Sequence, residues 1–209
     1  MLHRVLVLAT RNPGKINEFC DLLSGFDVEI KGLDRFGPIP PAVEDGRDFE
    51  ENAYKKALHT ARVLGLPALA DDSGLVVEAL AGEPGVHSAR YAGEGATDEA
   101  NNRKLLKAME VLTNRKAAFE CVIAIAVPHG PALIYEGRCE GEIAAAMRGE
   151  NGFGYDPLFH YPPLGMTFAE MTSEEKNRVS HRGKAMQELR EEFPKVLIWL
   201  DQRLASAVS

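Results

Sequence analysis

Val5-Leu6-Val7-Leu8-Ala9 runs directly into Thr10-Arg11-Asn12-Pro13-Gly14-Lys15, and this junction sets the architecture expected of the chain. A short apolar run rich in valine is typical of a strand that is covered on both faces. After Pro13, apolar residues recur at helical spacing from Ile16 to Leu23, which predicts a helix entered through a proline in its first turn. We therefore expect a buried strand that leads through a polar, basic turn into a helix.

The turn between this strand and helix has the composition of an anion-binding site. Free backbone N–H groups at the helix start, together with the Thr10 hydroxyl, the Asn12 amide and the Lys15 ammonium, would cradle a phosphate. The stretch is not a Walker P-loop, because the glycine pair and the terminal Lys-Ser/Thr are missing. A plain turn with one solvated lysine is the alternative, and this motif alone leaves both open.

Strand and helix signals alternate through the first half of the chain, which predicts the α/β class. A second strand is expected at 28–31, and Asp48 has the spacing of an N-cap for a helix that ends near Leu64. Two apolar segments follow, at 68–71 and 75–80. The residues between them, Asp72-Ser73-Gly74, are interpreted as a tight reversal.

The middle of the chain is rich in strand-forming residues. Segments 117–127 and 132–146 are joined by Pro128-His129-Gly130-Pro131, which predicts a hairpin and hence a mixed sheet. A helix is expected from the Thr97 cap to about Leu112. Further helices are expected to begin at Ser173 and Ser180, and a closing amphipathic helix is expected over 193–204.

Composition limits the possible functions. The 209 residues, 45% of them hydrophobic, are enough for one globular domain over 1–209, of two lobes that share a sheet. A net charge of -7 argues against a nucleic-acid polymer as partner. Three scattered cysteines indicate neither disulfides nor zinc. Neither a signal-peptide core nor the ~18 apolar residues of a membrane span is found, so we expect a soluble, cytoplasmic protein without a membrane partner.

Two acidic motifs have the composition of a divalent-metal site. Asp71-Asp72-Ser73-Gly74 places paired carboxylates between apolar segments, and carboxylates of this kind ligate Mg²⁺ at phosphate-handling sites. Glu44-Asp45-Gly46 has the same composition within a loop. The alternative for both is an Asp-rich turn that caps its own backbone.

Two later motifs have the composition of a recognition site. In Gly152-Phe153-Gly154-Tyr155-Asp156-Pro157, glycines flank aromatic rings that would stack on a base, and Asp156 would accept hydrogen bonds from ring N–H groups. The basic run from Lys176 to Lys184 contains His181 and Arg182, which would donate to carbonyl or phosphate oxygens. An aromatic turn in the core and a solvated basic face are the respective alternatives.

Taken together, the motifs occur in the order of a known family. The chain resembles the non-canonical purine nucleoside triphosphate pyrophosphatases, the dITP/XTP pyrophosphatase, inosine triphosphatase or Ham1-like family, over nearly its whole length. The resemblance rests on 10–15 (TRNPGK), 51–57 (ENAYKKA), 70–75 (ADDSGL), 84–91 (PGVHSARY), 153–157 (FGYDP) and 180–182 (SHR).

The resemblance implies a two-lobed α/β fold around a long mixed sheet, with an active site between the lobes, in a homodimer. It implies Mg²⁺-dependent cleavage of the α–β phosphoanhydride of ITP, dITP or XTP. Asp72 would be the proton acceptor, and Asp72 and Glu44 would bind the metal, with Asp45 able to replace Glu44. The substrate-binding residues would be Thr10, Arg11, Asn12, Pro13, Gly14, Lys15, Lys56, Ser73, Phe153, Gly154, Tyr155, Asp156, Lys176, His181 and Arg182.

Two other functions are compatible with parts of this pattern. A pyrophosphatase of the Maf type would share the general architecture and prefer other modified or pyrimidine triphosphates. A non-catalytic nucleotide sensor would bind a triphosphate without turnover, and the presence of both Lys15 and Asp72 argues against it. The Ser-His-Arg and Phe-Gly-Tyr-Asp motifs favour the purine interpretation.

Overall fold

The computed structural model describes residues 4–206. Its strands are β1 (Val5–Leu8), β2 (Glu29–Gly32), β3 (Ala68–Val77), β4 (Lys116–Ala126), β5 (Ala132–Ile143), β6 (Phe159–Tyr161) and β7 (Met166–Thr167). Its helices are α1 (Pro13–Leu22), α2 (Phe49–Leu64), α3 (Asp98–Ala108), α4 (Ser173–Val179) and α5 (His181–Ser206).

The strands form one seven-stranded sheet in the order β2-β1-β3-β4-β5-β6-β7. β1 runs parallel to both β2 and β3, whereas β6 is antiparallel to β5 and to β7. The sheet is therefore mixed, and the expected α/β class is confirmed. β4 and β5 are neighbours joined by a short connection, as the hairpin signal predicted.

The helix starts follow local capping chemistry. The Asn12 side chain accepts from the N–H groups of Gly14 and Lys15 at the start of α1, and Asp48 accepts from the N–H of Glu51 at the start of α2. Thr97 caps α3 in the same way. Side-chain oxygens at these positions satisfy N–H groups that have no partner within the helix, which fixes where each helix begins.

The reversal predicted at Asp72-Ser73-Gly74 is wrong. These residues lie inside β3, which continues from Ala68 to Val77. Aspartate, serine and glycine are poor strand formers, so the local pattern resembled a break. Neighbouring lysines neutralise the carboxylates of Asp71 and Asp72, and this allows the strand to continue through them.

Two helix boundaries also differ from the predictions. α3 ends at Ala108 rather than near Leu112. The closing helix begins at His181 rather than 193, because α5 continues through Pro194. An interior proline removes one helical hydrogen bond, but Pro194 is exposed and the buried side chains of Phe193, Val196 and Leu200 keep the helix packed on both sides of it.

The chain divides into two compact units. The first contains the residues up to Asp72, 122–135 and those from Ala185 onward, and the second contains 73–121 and 136–184. In the first unit, Phe26 and Phe193 are in ring contact, with centroids 4.9 Å apart. In the second, the core contains Phe119, Phe159 and Phe168, among others.

No helix within residues 4–206 has the length and apolar character needed to cross a membrane.

Candidate active site

The turn after β1 lies beside β3 because of the parallel register. Leu8 pairs with Leu69, and Asp71 follows two residues further along β3. The Lys15 ammonium lies 2.9 and 2.7 Å from the two carboxylate oxygens of Asp71, whose side chain is buried. The first predicted motif and the first residue of the second are therefore in direct contact.

The free backbone donors predicted at the start of α1 are only partly available. The Asn12 Oδ1 accepts from the N–H of Gly14 at 2.9 Å and from that of Lys15 at 3.3 Å, and Pro13 has no N–H. Thr10 Oγ1 accepts from the Asn12 N–H at 3.2 Å. The predicted phosphate cradle would therefore depend on side-chain donors more than on free backbone N–H groups, with the exposed Arg11 as another cation.

A second lysine joins the two predicted metal carboxylates. The Lys56 ammonium lies 2.7 Å from Asp72 Oδ1 and 3.4 Å from Glu44 Oε2. Asp45, the predicted substitute for Glu44, pairs instead with Lys55 at 2.9 Å. We call Lys15, Lys56, Glu44, Asp71 and Asp72 the lysine–carboxylate cluster; all five lie in the first unit.

Burial and charge act in opposite directions at the Asp72–Lys56 pair. Burial raises the pKa of the Asp72 carboxyl above its ordinary value, although the charge and hydrogen bond of Lys56 oppose the shift. Burial acts to lower the pKa of Lys56, but the Asp72 and Glu44 charges and the Asp72 hydrogen bond raise it overall. The cluster therefore holds a firmly charged ammonium beside a carboxylate that is more basic than usual.

Asn52 connects the Glu44 loop to Asp72. Its side-chain oxygen accepts from the Gly46 N–H at 2.8 Å, and its side chain also makes a hydrogen bond with the Asp72 carboxylate. Gly46 packs so closely on α2 that a Cβ there would lie 2.5 Å from the Asn52 oxygen. The loop is fixed on α2 by a further bond, from the Arg47 N–H to Glu51 at 3.0 Å.

The donor set of the cluster fits a magnesium ion. Among residues 4–206, no three His, Cys, Asp or Glu side chains form a ready-made metal centre. Mg²⁺ needs no such cage, since it commonly binds one or two carboxylates and completes its octahedron with waters and substrate phosphates. Glu44 and Asp72, which share one ammonium, provide a hard oxygen donor set of that kind.

The second unit contains the aromatic turn, residues 152–157. Asp156 is buried and accepts from the Phe153 N–H at 2.9 Å and from the Lys176 ammonium at 2.5 Å. Burial raises the pKa of Asp156, against the opposing charge of Lys176. The Lys176 ammonium also lies 4.7 Å from the centre of the Phe153 ring.

The two aromatic rings of this turn have different environments. Phe153 is 65% exposed, whereas Tyr155 is buried and donates from its hydroxyl to the Ser88 carbonyl oxygen at 2.8 Å. Tyr155 follows the alternative that the sequence left open, an aromatic turn in the core, because its ring packs in the core of the second unit. Only the Phe153 ring is presented to solvent.

The remaining predicted residues lie at two places in the second unit. His181 and Arg182 are the first residues of α5, and the His181 ring stacks on the Phe119 ring with centroids 4.7 Å apart. Ser73 is half-buried on β3, directly after Asp72. The basic run thus spans α4 and the first turn of α5 instead of forming one solvated face.

Three residues that contact this machinery were not singled out by the sequence. Asn52 bonds to Gly46 and Asp72, and Asp98 and Asn102 of α3 both bond to Gly154. The Asn-Asn pair at 101–102, within a helical segment, was a signal in the sequence that could have pointed to α3. Asparagine is a weak helix former, so its presence there lowers helix stability and suggests another role.

The chain is similar to known proteins over most of its length. The sequence model of the Ham1 family matches residues 6–192. A dITP/XTP pyrophosphatase of Syntrophobacter fumaroxidans is 63% identical over 205 residues, which are 98% of this chain and 88% of that protein. One of Desulfotalea psychrophila is 59% identical over 96% of this chain and 90% of its own length. A HAM1 protein structure from Coxiella burnetii matches with a TM-score of 0.89 and 44% identity, covering 92% of this chain and 99% of that one.

Proposed function

The chain belongs to the Ham1 family, and from this premise we propose that it hydrolyses non-canonical purine nucleoside triphosphates, namely dITP, ITP and XTP, to the monophosphate and pyrophosphate. It is a nucleoside-triphosphate pyrophosphatase, and it removes deaminated purines from the nucleotide pool. The observation that carries the proposal is Asp72, a half-buried carboxylate that shares the Lys56 ammonium with Glu44. The dITP/XTP pyrophosphatases similar to this chain supply the substrate class.

The charge of the lysine–carboxylate cluster supports the use of a metal ion. Two ammonium groups face three carboxylates, which leaves one excess negative charge. A triphosphate carries about four negative charges, so the cluster alone would repel it. Glu44 and Asp72 would hold Mg²⁺, which when bound would neutralise phosphate charge and make a nearby water more acidic. Thr10, Asn12 and Lys15 then bind the phosphate oxygens, with Arg11 and Lys56 as further cations, and Pro13 and Gly14 complete the substrate-binding turn.

Asp72 is the proton acceptor. A water oxygen bonds to the α-phosphorus, the bond from that phosphorus to the α–β bridging oxygen breaks, and the water proton passes to Asp72. The raised pKa of Asp72 suits this role, because a general base works best when its pKa approaches the working pH. Lys15 and Lys56 stabilise the charge on the departing pyrophosphate.

The nucleoside end of the substrate is assigned to the second unit. Phe153 offers the exposed ring, Gly154, Tyr155 and Asp156 form the turn that supports it, and Lys176 lies over the ring. His181 and Arg182 complete the nucleoside contacts, and Ser73 is a further substrate contact.

Donors at the start of α5 explain the discrimination against adenine. Hypoxanthine and xanthine carry a carbonyl at C6, which His181 and Arg182 would bond, whereas adenine would present an amino group to those donors. Sites that depend on required hydrogen bonds discriminate by about 10⁴–10⁵. We expect Arg182→Ala to lower the ITP/ATP ratio of kcat/KM, and an unchanged ratio would remove Arg182 from this role.

Two further assignments go with this function. The resemblance to the family implies a homodimer, which light scattering during size-exclusion chromatography tests directly. A role in cleansing the nucleotide pool implies the cytoplasm as the site of action.

The test is a substrate panel in the presence of Mg²⁺. Purified protein is incubated separately with ITP, XTP, dITP, GTP, ATP and dTTP, beside an Asp72→Asn control, and pyrophosphate is resolved from orthophosphate. We expect pyrophosphate from the first three alone, and its loss in the variant. Release of orthophosphate would indicate another kind of hydrolase. A preference for the pyrimidine nucleotide would indicate the Maf-type alternative, and absence of turnover would indicate a nucleotide sensor.

A further inference from the structure

Both backbone groups of Gly154 are bonded by side chains of α3. The Gly154 N–H donates to Asp98 Oδ2 at 2.6 Å, and the Asn102 amide donates to the Gly154 carbonyl at 2.7 Å. The same Asn102 amide donates to the Asp98 carbonyl at 2.9 Å, which ties the two side chains to one helical turn. The first turn of α3 therefore holds Gly154 by its donor and its acceptor together.

These bonds hold the backbone segment from which the Phe153 ring projects. The ring is 65% exposed, so packing alone does not fix it. Gly154 has a φ of 62°, a left-handed conformation that glycine adopts freely but does not require. In the peptide group that precedes Phe153, the Phe153 N–H donates to Asp156. The peptide groups on both sides of Phe153 are thus held, one by Asp156 and the other by α3.

The identity of Asn102 supports a role beyond packing. Asn102 is 2% exposed, on the buried face of α3. An apolar side chain is the more common occupant of such a position, because its burial costs no hydrogen bonds to water. The Asn102 amide instead donates both hydrogens to carbonyl oxygens, one of them in the aromatic turn. These two bonds restrain the Gly154 carbonyl relative to the first turn of α3.

We propose that Asp98 and Asn102 are positioning residues for nucleoside binding: by holding Gly154, they fix the Phe153 ring, with the Lys176 ammonium 4.7 Å from its centre, as the platform for a purine base. This inference rests on the proposed function, which assigns Phe153 and Lys176 to the nucleoside. Asp98 and Asn102 themselves touch no substrate atom. Their effect is on binding of the base and not on the phosphate chemistry.

The experiment uses Asp98, which is exposed and can be replaced without opening the core. Affinity is measured by calorimetry with an ITP analogue whose α–β bridge is a methylene group, and KM and kcat are measured with ITP. Asp98→Ala removes the acceptor of the Gly154 N–H, and we expect about 5- to 10-fold weaker binding and a matching rise in KM, with kcat unchanged. Asp98→Asn keeps an oxygen acceptor and should restore binding to within about twofold.

Glu99→Ala is the matched control. Glu99 is the next acidic residue in the same first turn, and its carboxylate pairs with Arg103 and not with the aromatic turn. Both alanine variants remove an acidic group that favours the helix N-terminus, so they should lose similar, small amounts of stability. Only Asp98→Ala should weaken binding of the analogue. Equally weakened binding in Glu99→Ala would overturn the inference.

A double-mutant cycle separates positioning from general loosening. If Asp98 acts through the Phe153 ring, Asp98→Ala should have little effect on analogue binding in a Phe153→Ala background. An undiminished effect there would overturn the inference. If the wild-type protein releases no pyrophosphate from ITP, the proposed function fails. If it does, and Phe153→Ala weakens the analogue while Asp98→Ala does not, only the positioning role fails.

Discussion

Asp72 combines burial with two charged neighbours, and this combination sets its chemistry. Burial raises its pKa, Lys56 lowers it through charge and a hydrogen bond, and the Glu44 charge raises it again. The raised folded-state pKa favours folding below the unfolded pKa of the group. That contribution is lost as the pH rises through the folded value, so ionised Asp72 is held in place at some cost in stability.

The opposing effect of Lys56 predicts a shift in the pH profile. In Lys56→Met the counter-charge is removed, so the pKa of Asp72 should rise further. Because the base must be ionised, the acid limb of kcat/KM for ITP should move to higher pH, and activity at neutral pH should fall. The measurement is a pH–rate profile at saturating Mg²⁺.

Lys55→Met is the control for that profile. Lys55 is the neighbouring residue on α2, but its ammonium pairs with Asp45 and Glu51 instead of Asp72. The acid limb of the Lys55→Met profile should coincide with that of the wild type. An acid limb that stays in place in Lys56→Met would show that Lys56 does not set the pKa of the group that limits the rate.

For individual residues, the sequence predicted which residue types form the site better than it predicted which side chains contact each other. Lys15, Lys56, Glu44 and Asp72 were identified from motifs, and the structure brings them into one cluster with Asp71. The pairing of Lys15 with Asp71 depends on the parallel register of β1 and β3, which a local pattern does not specify.

The junction of α4 and α5 allows no side chain at Gly183. A Cβ at this position would lie 1.8 Å from the Asn177 carbonyl oxygen. Gly183→Ala must therefore push α5 away from α4. We expect a loss of about 1–3 kcal/mol in the free energy of unfolding, measured by urea denaturation, and reduced ITP turnover, because His181 and Arg182 lie in the same turn.

Gln187→Ala provides the comparison on the same helix. Gln187 is one turn further along α5, and its amide donates to Glu191 on the exposed surface. Alanine is the better helix former, so stability should stay within about 0.5 kcal/mol of the wild type. Equal stability of Gly183→Ala and the wild type would show that the close approach of the two helices is not maintained in solution.

The loop that carries Glu44 depends on α2 for its position. In Asn52→Ala, the Gly46 N–H and the Asp72 carboxylate lose their shared partner. We expect a several-fold higher Mg²⁺ concentration for half-maximal ITP hydrolysis, together with a stability loss of about 1–3 kcal/mol. A Mg²⁺ titration and urea denaturation measure the two effects.

Asn101→Ala controls for the loss of a buried asparagine. Asn101 is equally buried in a helix, and its side chain bonds to Ala92 and Ala89. Its removal should cost similar stability and leave the Mg²⁺ requirement unchanged. If both variants shift the Mg²⁺ requirement alike, Asn52 has no specific effect on the metal carboxylates.

Elements with strong local signals were predicted well. The N-caps Asp48 and Thr97 mark the starts of α2 and α3 as expected, because a cap is chemistry within four residues. The continuation of β3 through Asp71-Asp72-Ser73-Gly74 was missed, because the lysines that neutralise the carboxylates come from 56 and 16 positions earlier in the chain. Where distant side chains decide the conformation, the local sequence is a poor guide.

The whole molecule carries a charge of the same sign as its substrate. The net charge is -7, and the lysine–carboxylate cluster adds no positive excess to attract a triphosphate. Long-range electrostatics therefore oppose the approach of the nucleotide, and binding depends on short-range contacts and the metal. A protein that binds nucleic-acid polymers has the opposite balance, and its affinity falls steeply as salt is added.

This balance predicts that salt accelerates the reaction. The Debye length shortens from roughly 20 Å at 20 mM salt to about 7 Å at 200 mM, which screens repulsion between the acidic protein and the nucleotide. At fixed free Mg²⁺, kcat/KM for ITP should rise about two- to fourfold over this range.

The double variant Glu110→Lys/Glu150→Lys is the control for this effect. It changes two exposed residues and takes the net charge from -7 to -3, since each substitution adds two positive charges. This variant should start with a higher kcat/KM at low salt and show a flatter response. A wild-type kcat/KM that falls with salt would mean that local attraction at the cluster outweighs the charge of the molecule as a whole.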